Sequence, residues 1–231
     1  MKALERTDSF SKVNWSNKRL IVGLGSLIIY FPMLHLIVLP YLLGVNSNFY
    51  LIFATWVISA LWMLLFPIFC IYKDSLKIWE VSFSKIFKEA VVALGFLIAA
   101  LIITSTFNLV VENFIQRPLD NPWAGFGKVQ MNSELILLMT ILFITAPVAE
   151  ELFFRGFVYN ALRQRFNVYI CALIQATIFA LFHYKNPYND IYNLICIFLM
   201  GIILVIAYER RKTLLSPVLI HGFYSILVVT L

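Results

Sequence analysis

The chain has 231 residues, of which 61% are apolar and 13% charged, about half the charged share of an ordinary soluble domain. That balance excludes a soluble globular enzyme, a disordered chain and a disulfide scaffold, and points to a protein that crosses a membrane several times. The net charge of +6 does not signal nucleic acid, because the basic residues fall between apolar runs and form no tract.

Seven apolar runs follow in chain order, at about 20–43, 50–72, 90–111, 135–161, 168–184, 191–208 and 214–231. A membrane-crossing helix needs about 20 residues, so each is a candidate span. The first run is too long for a signal-peptide core and no small-residue cleavage site follows it, so it is expected to remain as a span. Of the 18 Lys and Arg, 15 fall in the N-terminal arm and the segments after runs two, four and six, counting Arg155 near the end of run four with the segment that follows it. By the positive-inside rule this predicts seven transmembrane helices, N-terminus cytoplasmic and C-terminus outside. The expected fold class is all-α, a polytopic membrane helix bundle. Between runs two and three, Leu76, Trp79, Phe83, Ile86 and Ala90 recur at helical spacing, with Lys77, Glu80, Ser84 and Lys88 among them. That pattern fits either an amphipathic helix on the cytoplasmic surface or a helical lead-in to the third span. Cys70, Cys171 and Cys196 lie in apolar runs without CxxC spacing and read as small buried hydrophobes.

Ionisable residues inside apolar runs are costly, so each needs a partner or a function. Glu150 and Glu151 sit in ITAPVAEELFFRGFVY of the fourth run. Glu151 and Arg155 are four apart, share a helix face and are expected to pair. Glu150 points about 100° away with no local cation, which suits a general base. Pro147 removes a backbone hydrogen bond just before it and is expected to kink the helix there. His183, in TIFALFHY, ends the fifth run, with Phe179 four residues earlier on its face. His221, in SPVLIHGFYS, lies in the seventh run, with Ser225 four residues later. The third histidine, His35, has no polar neighbour at helical spacing and reads as structural. Counted at 1.5 Å per residue from the cytoplasmic ends, Glu150, His183 and His221 lie about 15, 22 and 10 Å deep, so their convergence depends on helix tilt.

A glutamate and two histidines on facing helices have two related uses. They can bind a divalent metal such as zinc in a His₂Glu arrangement, although no HExxH spacing supports this. Alternatively, Glu150 can activate a water directly while His and Ser donors stabilise an oxyanion. Both routes lead to amide hydrolysis. A proton relay in a small transporter is a further use of the same groups.

At these residues the sequence resembles the CPBP family, the CAAX proteases and bacteriocin-processing enzymes also called the ABI family. The family's EExxxR matches Glu150, Glu151 and Arg155; FxxxH matches Phe179 and His183; HxxxN aligns with His221 and Ser225. The resemblance runs from about Leu135 to the C-terminus, and AEELFFRGFVYNAL and SPVLIHG carry the family's phrasing. It implies a division into N-terminal transmembrane helices with the amphipathic segment (1–133) and a CAAX-protease-like core (134–231). It implies an intramembrane endopeptidase acting on a peptide or protein substrate at the bilayer. Eukaryotic members cut prenylated C-terminal motifs, whereas bacterial members are associated with bacteriocin maturation, self-immunity and peptide signalling. The implied catalytic set is Glu150, Glu151, Arg155, His183, His221 and Ser225, with Phe179 binding substrate or shaping the site. A metal, if used, would be held by Glu150, His183 and His221. Ser225 departs from the commoner Asn: it offers one rotatable O–H where Asn offers two N–H donors. That change favours, as an alternative, a non-catalytic immunity or regulatory scaffold on the same fold.

Overall fold

The structure, a computed structural model, describes residues 12–32, 49–74, 83–116, 144–183 and 190–230. In chain order the elements are α1 (Asn17–Pro32), α2 (Phe49–Lys73), α3 (Phe83–Ile115), α4 (Ala146–Glu151), a π-helical stretch π1 (Leu152–Tyr159), α5 (Asn160–Arg163), α6 (Val168–Phe182), α7 (Asp190–Arg211) and α8 (Leu215–Thr230). There is no strand among the described residues, and α4, π1 and α5 follow one another without a break. Each described helix falls on one of the predicted apolar runs. His35 and the segment around Leu76 and Trp79 lie outside the described residues. From Phe83 onward the predicted lead-in is part of α3 itself, which is why α3 reaches 33 residues.

Helix α3 shows why this is a membrane bundle. Its inward stripe, Ala93, Leu97, Ala100 and Thr104, is buried against α7 and α8. Its outward stripe, Phe87, Val91, Leu94, Ile98 and Ile102, is equally apolar and exposed. A helix apolar on both faces is at home only in lipid or in the interior of a larger protein. Residues 86–115 and 191–211 are each long and apolar enough to cross a bilayer, and α6, α8 and residues 60–73 are shorter apolar helices.

The polar contacts gather where the predicted same-side segments meet. Arg19, after the N-terminal arm, forks onto Asp74 at 2.7 and 2.8 Å, and Asp74 also accepts from the Asn14 backbone N–H. Held by that guanidinium, the Asp74 carboxyl sits below its usual range. This contact therefore persists in mild acid and is lost only as pH falls through the lowered value. The Gln164 amide grips the Val13 carbonyl and the Trp15 N–H, and Arg165 reaches the Trp15 carbonyl. Arg163 pairs with Glu209, and Arg211 with Glu89. Described residues of the four segments richest in Lys and Arg are thus tied to one another by polar contacts.

Trp15 is buried against Phe157 of π1, and Phe157 in turn meets Phe66 and Phe153. Gly23 permits this closeness: a Cβ there would collide with the Phe157 ring and come within 2.8 Å of Phe66. The ring cannot swing away, because it is fully buried among three other aromatics. Gly23→Leu is therefore expected to lower the melting temperature of the detergent-solubilised protein, at a cost of about 1–3 kcal/mol for overpacking. An unchanged melting curve would mean that α1 does not pack on π1.

Candidate active site

The site is built on the α4–π1 rod. Pro147 lies in the first turn of α4, where a missing N–H is tolerated. The backbone is π-helical at Ile144 and Thr145, just before Pro147, and it widens again into π1 directly after Glu151. A π-helical stretch re-aims side chains relative to a regular helix and leaves carbonyls the ordinary ladder does not serve. The Asn160 amide covers two of them, donating to the carbonyls of Arg155 (2.8 Å) and Gly156 (3.1 Å) as well as to the Tyr208 hydroxyl (2.7 Å). Asn160 is buried, and the only sequence signal for it was an amide standing in the family-like phrase AEELFFRGFVYNAL.

Glu151 and Arg155 pair as predicted, at 2.8 Å, and both are wholly buried. Arg155 is further fixed by the Gly201 carbonyl on α7 (3.2 Å) and by stacking of its guanidinium over the Phe179 ring at 4.5 Å. Gly201 matters here, because a Cβ on it would stand a tight 3.1 Å from the Ala176 Cβ, so a larger residue would push α6 and α7 apart by a few tenths of an ångström. Phe179 also meets His183 at 4.7 Å, Phe154 at 5.0 Å and His221 at 5.7 Å between ring centroids. It is the buried platform on which the charged and imidazole groups are arranged.

Both histidines converge on Glu150. Its Oε2 lies 3.4 Å from His183 Nε2 and 3.8 Å from His221 Nε2. The spread in depth expected from counting residues does not separate them. His183 closes α6 as its C-cap, at φ −92° and ψ 4°, a bridge-region conformation often used by active-site residues. Its Nδ1 contacts the Phe179 carbonyl at 2.8 Å. The His221 Nδ1 contacts Glu151 Oε1 at 2.9 Å, the same oxygen that receives Arg155. A carbonyl and an Arg-paired carboxylate can only accept, so each ring carries a hydrogen on Nδ1. In the neutral rings, both Nε2 lone pairs then face the Glu150 carboxylate. Three acceptors turned toward one another require a donor among them.

The Ser225 hydroxyl, one helical turn after His221, donates to the His221 backbone carbonyl at 3.0 Å, within its own helix. Ser225→Asn, with a longer side chain and two N–H donors, is expected to keep or raise activity; a clear loss would remove position 225 from the reaction. The three cysteines are free and buried, as expected.

Residues 132–227 match the family model described as type II CAAX prenyl endopeptidase Rce1-like. An Escherichia coli protein named "Uncharacterized 24.3 kDa protein" is 37% identical over 90 residues, covering 38% of this chain and 41% of that protein. A Bacillus subtilis (strain 168) protein named "Putative membrane peptidase YdiL" is 26% identical over 113 residues, covering 46% of this chain and 44% of that protein. The alignments thus span less than half of these relatives. No solved structure matches the chain. Over its C-terminal segment the chain is thus similar to CAAX-protease-like membrane proteins, and its long apolar helices are those of an integral membrane protein.

Proposed function

We propose that the chain is an intramembrane endopeptidase in which Glu150 activates water. The observation that supports this is the meeting of Glu150 with two imidazole Nε2 atoms whose rings are held from behind. A water placed among them can donate one hydrogen to Glu150 and the other to His183. Its oxygen lone pair is then free for a peptide carbonyl. Glu150 takes the proton as the C–O bond forms, and returns it to the departing amine as the C–N bond breaks. Glu151 with Arg155 orients His221 through Nδ1. Phe179 shapes the floor beneath these groups.

The metal-dependent version would use Glu150, His183 and His221, with Phe179 and Glu151 orienting the rings as outer partners. Its bound cation would polarise water or the carbonyl. Among the described residues, however, no group of three or more His, Cys, Asp and Glu side chains forms a ligand cluster, so no step above is routed through a metal. Peptide cleavage by the purified protein in detergent, with and without a chelator, tests both versions. Cleavage that survives chelation supports the water mechanism; loss restored by zinc selects the metal.

The substrate we infer is a peptide or membrane protein segment presented from the end of the bundle where the charged contacts gather, as a prenylated C-terminus or a bacteriocin or signal precursor would be. The non-catalytic immunity scaffold is the alternative, and Ser225, standing where the motif commonly has Asn and bonded to its own helix backbone, is the observation that favours it. The sidedness we propose is cytoplasmic for that charged end and outside for the C-terminus. A reporter active only outside, fused after Leu231, should be active; a silent fusion with normal expression would mean an even number of spans.

A further inference from the structure

The buried face of α6 carries a polar group that this chemistry does not use. Gln175 is wholly buried, one helical turn before Phe179 and two before His183 on the same face. Neither end of its amide has a hydrogen-bond partner among the described residues. An unsatisfied buried polar group costs about 1–3 kcal/mol, and native interiors satisfy nearly all such groups with protein or ordered water. A leucine or methionine at this position would avoid the cost.

The surroundings suggest what meets the amide. Helical side chains lean toward the N-terminus, so the Phe179 ring overlies the turn that carries Gln175. The Arg155 guanidinium stacks on that ring and reaches Gly201, which itself packs on Ala176, the residue next to Gln175. Arg155 Nε is also buried and without a hydrogen-bond partner, as is Glu151 Oε2. The unpaired groups therefore include donors, on Arg155 Nε and the Gln175 nitrogen, and acceptors, on the Gln175 oxygen and Glu151 Oε2. An apolar void stays dry, whereas a buried site with two to four polar partners holds water.

We propose that Gln175 and Arg155 Nε form an internal water-binding site between α6 and π1, behind the catalytic group. The bound water satisfies the edge of the guanidinium that neither Glu151 nor Gly201 reaches. It thereby holds Arg155 flat on Phe179 and Glu151 under His221. Gln175 is thus a positioning residue. That role rests on the peptidase reading; the hydration site does not.

The test is a crystal structure of the full chain in lipid at a resolution that shows ordered water, for the native protein and for Gln175→Met, which keeps the length of the side chain. The native protein should show a water at a hydrogen-bonding distance of about 2.7–3.2 Å from both the Gln175 amide and Arg155 Nε. In Gln175→Met it should be gone, with kcat reduced several-fold, KM unchanged, and thermal stability equal or higher. A Gln175 amide bonded directly to protein groups, with no water, would overturn the site. A water present in the native protein but an unchanged kcat in Gln175→Met would overturn the positioning role. If the native protein cleaves no peptide while the water is present, the peptidase reading fails and the hydration site stands.

Discussion

Glu150→Gln should reduce peptide cleavage by about 10²–10⁴-fold, the usual worth of general-base assistance, while leaving the protein folded. Glutamine keeps the shape of the side chain and one carbonyl oxygen, but it cannot accept the proton of water at neutral pH. Its amide N–H would even meet the two Nε2 lone pairs well, so the substituted site gains a donor where three acceptors faced one another. Stability should therefore hold or rise, and the loss should fall on kcat. The Glu151 carboxylate cannot substitute for the missing base, because it is committed to Arg155 and His221; His183 Nε2, with Nδ1 held by the Phe179 carbonyl, is the other acceptor facing the water, and the loss measures what Glu150 supplies beyond it. The measurement is cleavage by purified protein in detergent beside a melting curve of each sample. In a well-expressed Glu150→Gln protein, unchanged cleavage would rule out Glu150 as the base, and unchanged immunity in cells without cleavage would leave the scaffold reading.

Much of this site could be read from sequence because its chemistry is local or costly. Glu151 and Arg155 are one helical turn apart, and a charged pair in an apolar run has few alternatives to pairing. The basic residues set off the apolar runs for the same reason: charge avoids hydrocarbon. Other features depend on tertiary packing that no single segment encodes. The junction of Glu151 with His221 spans 70 residues, and Glu150 was expected to lack a cation only because its neighbours arrive from other helices. Pro147 drew attention to a kink, yet the distortion that shapes the site is π1. It lies among Phe153, Phe154 and Phe157 and is served by the distant Tyr208 through Asn160. Gly201 gave no periodic signal, since its role is to be small opposite Ala176. Ser225 aligns with the motif, and its hydroxyl bonds its own backbone four residues back, as a hydroxyl in a helix readily does.

Glu151→Gln should damage folding where Glu150→Gln does not. Glu151 is fully buried and receives two donors on one oxygen, Arg155 Nη1 at 2.8 Å and His221 Nδ1 at 2.9 Å. Glutamine can still offer an oxygen to both, so the geometry is nearly kept; what is lost is the charge opposite a buried guanidinium. Removing one member of a buried ion pair costs about 3–5 kcal/mol, because the other is left uncompensated in a low-dielectric setting. Against a typical total stability of about 5–15 kcal/mol, that loss should show as poor recovery of monodisperse protein and a much lower melting temperature. The decisive control is the double substitution Glu151→Gln with Arg155→Met, which removes both charges. Folding should recover in the pair while cleavage does not, since His221 then lacks the carboxylate that orients its ring. If Glu151→Gln alone melts like the native protein, the Arg155 charge is being met elsewhere, and the division of labour between the two adjacent glutamates falls.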